Sequence, residues 1–300
     1  MLPLVISSAS IVCLIPICLL VAVIILRKSP TGSKSKSPPK GSGGSGGSGG
    51  PANKTTIPFD SILTMKKSPW NTQYLGNKQR ISVSNGVLRM KYVKNQHGAT
   101  SGAKISALPA GKFPAEKLEF GYDVYFPENF GWVKGGKLPG VCIGVGSKDC
   151  STGGDWKQNS GSARFMWRSK DGKNAYIIGY LYLPVTGNFK KAYDVQGAGY
   201  KKITDPGNRT GHDLWHGELP IKRGWNTLRM KIQMNTPGRA DGLFEIQVND
   251  KTRTVNDVMW RDNSKVKVNN MNFVTFFGGG SSDWDSKVDT YTEYKNFWIA

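Results

Sequence analysis

The sequence predicts an all-β protein, a sandwich of two antiparallel sheets built from residues 51–300. Short segments of alternating apolar and polar residues recur along this part and are separated by turn residues, a pattern typical of antiparallel strands. No stretch keeps the 3.6-residue apolar spacing of an amphipathic helix, so helix should be scarce. All-β domains of this length are ordinary, and we expect a single domain.

The N-terminal segment, 1–28, predicts a membrane anchor. Leu4 to Leu26 is a run of 23 residues without charge, long enough to cross a bilayer as a helix. A cleaved secretory signal is the alternative reading, but Arg27 and Lys28 follow the apolar run and no small-residue cleavage site ends it, so the segment is expected to remain as an anchor or an uncleaved signal. We therefore expect a transmembrane helix and a protein that is membrane-anchored or secreted.

The next segment, 29–50, has the composition of a flexible linker. It contains three lysines, three prolines and a Gly-Ser repeat, and it lacks the apolar residues that a core requires. The repeat also resembles an engineered linker, so both origins stay open.

Strands are predicted throughout residues 51–300. Leu118 to Phe126 alternates as a strand does, and Trp225 to Asn235 and Leu243 to Asn249 do the same. The segment between the last two contains Pro, Gly and Asp, which predicts a hairpin. Further strands are predicted at Ile81 to Val93, Asn272 to Phe277 and Tyr291 to Ile299.

The charge predicts a polyanionic partner. The formal net charge is +20, of which residues 1–50 supply five lysines and arginines and no acid, leaving +15 for residues 51–300. Nucleic acid, an anionic membrane surface and an acidic polysaccharide all suit this charge. No RNA-binding signature, helix-turn-helix pattern or Walker loop occurs, so we expect no nucleic-acid partner.

Two cysteines of the domain predict a disulfide. Cys142 and Cys150 are eight residues apart in a Gly-rich segment that we interpret as a loop, and their pairing would indicate an oxidising compartment. Zinc is disfavoured because neither belongs to a Cys-x-x-Cys pair and no histidine is near. Asn53 and Asn208 lie in glycosylation patterns, which also favour an external location, whereas Arg27 and Lys28 after the apolar run favour a cytoplasmic domain.

Lys134 and Lys137 lie in Lys-Gly-Gly-Lys-Leu-Pro-Gly, a segment that we interpret as a turn holding cations against a large ligand. Two predicted strands follow, at 162–168 and 176–183, and period two divides each into an apolar core face and a second face. The second faces carry Ser162, Arg164, Met166, Arg168, Tyr176, Ile178, Tyr180 and Tyr182. A turn centred near Gly172 would place Arg164 opposite Tyr180 and Ser162 opposite Tyr182. An exposed arginine stacked on tyrosines is the alternative without a functional role.

These segments resemble polysaccharide lyase family 14, in particular its chlorovirus members. The resemblance covers most of residues 60–300 and is carried by Lys134–Gly140, Ser162–Arg168, Tyr180–Tyr182, Trp225–Gly242 and Phe276–Trp284. It implies a jelly-roll fold with a cleft and the cleavage of alginate or polyglucuronate by β-elimination, as in the degradation of an algal cell wall. We also expect a monomer without a cofactor or metal, and a virion or host-cell surface location if the chain is viral.

The resemblance also implies the site residues. The catalytic set maps to Lys137, Ser162, Arg164, Tyr180 and Tyr182. Lys134, Arg168 and Tyr176 are expected to bind substrate, and Tyr176 is also an alternative to one of the two catalytic tyrosines.

The chemistry of elimination requires such residues. The C5 proton is next to a carboxylate, so its removal needs a cation or donor aimed at that carboxylate, and the planar fork of Arg164 suits this role. Lys137 could neutralise the same carboxylate or act as the base, and either tyrosine could be acid or base. The sequence leaves these roles open.

Other functions have less support. A non-catalytic, lectin-like module binding the same acidic polysaccharide is the main alternative. A glycosidase would need a pair of carboxyl groups, and no suitable cluster occurs. His212 and His216 have a spacing that suits a metal, but we interpret them as part of a loop or as cleft lining because no third ligand is evident.

Overall fold

A computed structural model of the chain describes residues 53–153, 157, 159–183, 200–201 and 211–300. The predicted anchor at 1–28, the linker at 29–50 and the acceptor Asn208 lie outside these residues. In the part that is described, no helix is long and apolar enough to span a bilayer.

The described residues form strands joined by turns and short helices. The strands are β1 (Thr55–Thr56), β2 (Thr72–Gly76), β3 (Ile81–Ser84), β4 (Val87–Tyr92), β5 (Ala103–Ala107), β6 (Lys117–Phe126), β7 (Gly135–Gly144), β8 (Gly161–Arg168), β9 (Ala175–Tyr182), β10 (Tyr200–Lys201), β11 (His212–Ile221), β12 (Gly224–Gln233), β13 (Gly242–Val248), β14 (Lys251–Val258), β15 (Lys267–Phe277) and β16 (Thr290–Ile299). The helices are single 3₁₀ turns at Phe59–Ser61, Lys78–Arg80, Gly98–Thr100, Pro109–Gly111 and Ser282–Trp284. The prediction that helix is scarce is confirmed for the described residues.

The strands form two antiparallel sheets, which confirms the predicted fold class. One sheet, called here the outer sheet, has the order β14-β13-β12-β6-β16-β4-β3, with β1 also paired to β16. The other, called the cleft sheet, has the order β10-β11-β9-β8-β7-β15-β5-β2. The central strands of both sheets come from distant parts of the chain, so the core closes only when the whole domain folds.

The core lies between the sheets and is rich in aromatic residues. Phe165 of the cleft sheet contacts Phe120 and Tyr122 of the outer sheet, with ring centroids 6.5 and 5.9 Å apart. Ala163, Phe165 and Trp167, predicted to face the core, are fully buried there. Burial of large aromatic side chains on both inner faces is a major source of stability for such a sandwich.

The pairing of β8 with β9 agrees with the register predicted from the sequence. Arg164 lies opposite Tyr180, and Ser162 lies opposite Tyr182. The turn between the strands is centred on Gly172, whose φ of 70° is one that glycine adopts without strain. Local alternation and turn length are sufficient to fix this register.

The segment from Ile81 to Val93, predicted as one strand, is instead the hairpin of β3 and β4. Asn85 and Gly86 form its two-residue turn with φ of 51° and 73°. Positive φ at both positions is what a type I′ turn requires, and Asn-Gly is its preferred sequence. The sequence therefore held a turn signal that the strand prediction passed over.

Two segments interpreted as loops are strands. Lys134 to Gly140 is not a turn, since all of it after Lys134 belongs to β7, which also contains Cys142. His212 to His216 is the first half of β11. The glycines and proline of this segment led to the prediction of a turn. Pairing with β8 and β15 instead holds β7 in an extended conformation.

Candidate active site

A cleft of about 550 Å³ lies on the face of the cleft sheet that points away from the core. Period two places cleft-facing residues of neighbouring strands in rows across the sheet. One such row runs through Tyr180, Arg164, Gly140, Asn272, Ser106 and Tyr74. Lys137, Arg164, Tyr180 and Tyr182, predicted from four separate positions in the chain, all line this cleft.

Lys137 enters the cleft because β7 carries a bulge. Lys137 lies opposite Met166 and Gly140 lies opposite Arg164, so β7 has one more residue than β8 between these pairs. The bulge reverses the alternation, and Lys137 and Cys142 can therefore both lie on the cleft side although they are an odd number of residues apart. The hydroxyl of Tyr122 donates to the Pro139 carbonyl within the bulge at 3.0 Å.

The Lys137 side chain is 9% exposed, and among the described residues no carboxylate lies within ion-pair distance of it. Its Nζ lies 3.0 Å from Met166 Sδ and 3.0 Å from the centroid of the Tyr180 ring. The ring face attracts the ammonium form, but neither neighbour replaces the water that a charged amine loses on burial.

Burial lowers the pKa of Lys137 well below 10.5. The positive charges of Arg168 and Arg164 act in the same direction, and the negative charge of Asp213 opposes them. Desolvation and like charges both favour the neutral amine, so Lys137 releases its proton more readily than an ordinary lysine.

Arg164 is 3% exposed and is held by a neutral partner. The partner is Asn272, in the amide orientation that pairs its oxygen with the guanidinium. This oxygen accepts from Arg164 Nη2 at 2.7 Å and from Arg164 Nε at 3.3 Å. Burial lowers the pKa of Arg164 to about 10, while Tyr182 and Tyr180 act to raise it. The guanidinium therefore stays charged at neutral pH in a cleft whose described lining contains no aspartate or glutamate.

The two tyrosines lie together beside Lys137. Their hydroxyl oxygens are 3.3 Å apart, and the Gly211 N–H donates to the Tyr180 oxygen at 2.9 Å. Burial, followed by the proximity of Tyr182, raises the pKa of Tyr180 above 10. Tyr180 is therefore a protonated phenol over the physiological pH range.

Ser162, the fifth predicted catalytic residue, is fully buried below the cleft. Its hydroxyl donates to the Ser151 carbonyl at 2.7 Å. This contact ties β8 to the loop that follows β7.

The three predicted substrate-binding residues lie on one side of the cleft, around Trp284, and each contacts a protein group. Lys134 forms an ion pair with Asp283, and Arg168 Nη2 lies 2.6 Å from Asp213 Oδ2. Both cations lie over the Trp284 ring, at 5.9 and 5.2 Å from its centroid.

The third of these residues, Tyr176, contacts a histidine on β11. Its hydroxyl is 3.1 Å from His216 Nδ1, and His216 Nε2 is 3.0 Å from Asp213 Oδ2. Burial raises the pKa of Asp213, but the His216 hydrogen bond and the positive charges of Arg168 and Lys137 lower it. Together these lowering effects exceed the effect of burial, so the pKa of Asp213 lies below its ordinary value. Asp213 is thus an ionised carboxylate that orients this side of the cleft.

Cys142 and Cys150 form a disulfide with a Cα–Cα distance of 4.9 Å. It joins β7 to the loop that follows it. Elsewhere in the described ranges, no three histidine, cysteine, aspartate or glutamate side chains come together as metal ligands would.

Sequence reasoning missed Asp213, Asn272 and Lys104. Asp213 lies between two histidines that were interpreted as part of a loop or as cleft lining, and Asn272 begins a segment considered only as a strand. Lys104 lies in Ala-Lys-Ile-Ser-Ala, an alternating segment that could have been found as a strand with a polar face. Each becomes part of the site through pairing between distant strands, which no local pattern indicates.

The chain is similar to proteins of a known family. The family model of polysaccharide lyase 14 matches residues 81–297. Exolysin of Paramecium bursaria Chlorella virus 1 is 30% identical over an alignment of 201 residues that covers 61% of this chain and 29% of exolysin. The chain thus spans less than a third of that relative's length.

Solved structures show the same fold. The marine PL-14 alginate lyase from Aplysia kurodai matches with a TM-score of 0.64 and 28% identity, over 76% of this chain and 90% of that one. The alginate lyase vAL-1 from Chlorella virus matches with a TM-score of 0.64 and 21% identity, over 82% of this chain and 98% of that one. Because the family model covers most of the chain, the chain belongs to polysaccharide lyase family 14.

Proposed function

We propose that the chain cleaves polyuronates, alginate or polyglucuronate, by β-elimination. The observation that carries this proposal is the buried Lys137 amine, with its lowered pKa, beside Arg164 and two tyrosines in a cleft without described acidic lining residues. The names of the relatives, alginate lyases among them, favour the same substrate class.

Arg164 neutralises the carboxylate of the sugar that loses its proton. Removal of the C5 proton spreads a second negative charge over that carboxylate, and a fixed guanidinium stabilises it without reorganising. Asn272 supports this role, since a neutral amide holds Arg164 in place and leaves its positive charge for the substrate.

Lys137 takes the C5 proton as its neutral amine. A general base is most effective when its pKa is near the working pH, and burial moves Lys137 in that direction. Arg164 cannot serve as the base, because a guanidinium with a pKa of about 10 stays protonated at neutral pH.

Tyr180 donates a proton to the C4 oxygen as the bond to the leaving sugar breaks. Its raised pKa keeps the phenol protonated, which favours the acid role over the base role. Tyr182, 3.3 Å from it, orients the phenol and lines the same part of the cleft. Lys134, Arg168 and Tyr176 bind the chain beyond the reacting sugar, on the Trp284 side.

The viral relative and the sequence support a proposal for the setting of this activity. We infer that the domain acts as a monomer on an algal cell wall, at a virion or host-cell surface. The segment 1–28 would anchor it to a membrane or direct its secretion.

The experiment follows ultraviolet absorbance from the C4=C5 double bond while the protein is incubated with alginate and with polyglucuronate. We expect absorbance to rise on at least one polymer. Lys137→Ala and Lys137→Arg should each lower the rate by roughly a hundredfold or more, because neither can accept the proton. Lys231→Arg, at an exposed position of the outer sheet, is the matched control and should keep the wild-type rate.

Binding of the polymers without any rise in absorbance would instead identify the lectin-like alternative. A Lys137→Arg enzyme with the wild-type rate would contradict the assignment of the base.

A further inference from the structure

A second cavity of about 510 Å³ lies beside the cleft on the same face of the cleft sheet, and we call it the side groove. It extends over β15, β5 and β2, and Lys104 and Asn272 line both the cleft and the side groove. None of the residues placed above in the reaction lines it, apart from Asn272, the partner of Arg164.

The side groove continues the row of residues that contains Arg164. From Arg164 the row passes through Gly140 and Asn272 to Ser106 and Tyr74. These are four strand spacings of about 4.8 Å, so the row extends about 19 Å from the guanidinium. A polymer threaded through the cleft across the strands would enter the groove without turning.

The charge of the side groove is positive. Lys66, Lys104 and Lys148 line it, and its described lining contains no aspartate or glutamate. All three ammonium groups are on exposed residues, and within the described part of the chain none forms an ion pair. Cations without protein counter-ions in one groove favour a ligand that carries several negative charges.

The groove also has an aromatic surface. Tyr74 is 53% exposed, and Lys104 Nζ lies 5.5 Å from the centroid of its ring. A ring beside an ammonium group suits a uronate, whose C–H face packs on an aromatic ring while its carboxylate pairs with the cation.

The loop that carries Lys148 is held in a defined conformation. The Asp149 carboxylate accepts from the backbone N–H groups of Val145 and Gly146 at 3.0 and 2.7 Å, and the Asn270 amide donates to the Ser147 carbonyl at 2.7 Å. The disulfide at Cys150 fixes the end of the loop. Asp149 therefore faces the loop backbone, and Lys148 is the charge that the loop presents to the groove.

We propose that the side groove binds the acidic polysaccharide beyond the reacting sugars, with Lys66, Lys104 and Lys148 pairing with successive carboxylates and Tyr74 packing on a sugar ring. This rests on the proposed polyuronate lyase activity and adds a site that gives the enzyme preference for long chains.

The test measures KM and kcat on oligouronates of graded length and on the polymer. The variants are Lys66→Ala with Lys148→Ala, and Tyr74→Ala. The matched control is Lys91→Ala with Lys231→Ala, which removes the same charge from exposed positions of the outer sheet.

For the Lys66→Ala, Lys148→Ala protein we expect a rise in KM of roughly three- to thirtyfold, confined to substrates long enough to reach the groove. The value of kcat should be retained, and Tyr74→Ala should act in the same direction. The control should match the wild type at every length. An equal KM for the variant and the control on the polymer would overturn the proposal.

Direct binding measurements distinguish failure of the proposed lyase activity from failure of the proposed groove. If the wild type cleaves neither polymer, its affinity for polyglucuronate and alginate is measured without turnover. Weaker binding by the Lys66→Ala, Lys148→Ala protein than by the control would then support the groove as a polyuronate site, and equal binding would overturn it.

Discussion

Lys137 combines burial with the role of base that we propose for it, and burial of an amine is energetically costly. Its ammonium form loses water on burial, and within the described residues its Nζ contacts the Tyr180 ring and the Met166 sulfur, neither of which replaces that water. The protein therefore holds this group in an environment that favours the neutral amine. Such a residue should lower stability while it raises activity, and both effects can be measured.

The pH dependence of kcat/KM should report Lys137. A base works when deprotonated, so activity should rise with pH through the Lys137 pKa, and this rise should lie well below 10.5 because burial lowers that pKa. Arg168→Gln removes a positive charge that lowers the pKa and leaves Asp213 without this partner, so the rise should move to higher pH. Initial rates across the pH range measure both curves. An unchanged curve in Arg168→Gln would contradict the electrostatic coupling.

The stability of a Lys137→Met protein should exceed that of the wild type at neutral pH. Between the folded-state pKa of Lys137 and 10.5 the unfolded chain binds more protons, so the contribution of this group to stability rises with pH and is least favourable below that range. Methionine fills a similar volume without charge. Replacing a buried charge in this way stabilises by up to a few kcal/mol, and each kcal/mol raises the Tm of a domain of this size by about 2–4 °C.

Thermal unfolding of this variant is compared at neutral pH and near pH 10.5, where the gain over wild type should be smaller. Lys91→Met, at an exposed position of the outer sheet, is the control and should change the Tm little. A lower Tm for Lys137→Met than for wild type at neutral pH would show that burial of the amine is not destabilising.

At the scale of elements, the bulged strand β7 determines the site. The bulge sets Lys137 and Gly140 on the cleft side, and Gly140 lies directly against β8. A Cβ on Gly140 would lie 2.1 Å from the Ala163 carbonyl oxygen and 2.6 Å from the Arg164 Cα. The backbone of β8 would have to move, and Arg164 with it.

Gly140→Ala should therefore lower both stability and activity. Overpacking of this kind costs about 1–3 kcal/mol, measured by chemical or thermal unfolding, and the displaced Arg164 should lower kcat on the polymer. Gly131→Ala is the matched control, since no atom beyond its chain neighbours lies within 4 Å of the added Cβ. Equal stability of the two variants would show that β7 can move away from β8 without cost.

At the scale of the molecule, the two sheets differ in how their charges are paired. On the outer sheet Arg89 pairs with Glu293, and Arg229 pairs with Glu119 and Glu245. The described linings of the cleft and the side groove contain lysine and arginine but no acid. Among the described residues, the lining of the substrate face therefore presents positive charge without an acid beside it.

Raising the ionic strength should accordingly raise KM on the polymer and change kcat little. Exposed lysines are screened over about 10 Å at 0.1 M salt, whereas Lys137 and Arg164 are buried and are screened less. Initial rates at two salt concentrations, over a range of polymer concentrations, separate the two parameters. A fall in kcat with an unchanged KM would be the opposite of this expectation.

The sequence by itself determined the all-β class, the two faces of β8 and β9, and the pairing of Arg164 with Tyr180. These features depend on alternation with period two and on the length of one turn, which are local properties of the chain. It also supplied Asn85-Gly86 as a turn signal, although the strand prediction did not use it. The segment resemblance placed the four cleft-lining catalytic candidates.

Only the tertiary structure decided what surrounds those residues. Lys137 enters the cleft at a bulge in β7, which pairs with β8 on one side and with β15 on the other. Asn272 meets Arg164 across β7, and Lys104 and Tyr74 extend the row from strands near the start of the domain. Because burial, charge pairing and the pKa of Lys137 arise from residues far apart in the chain, no local pattern could specify them.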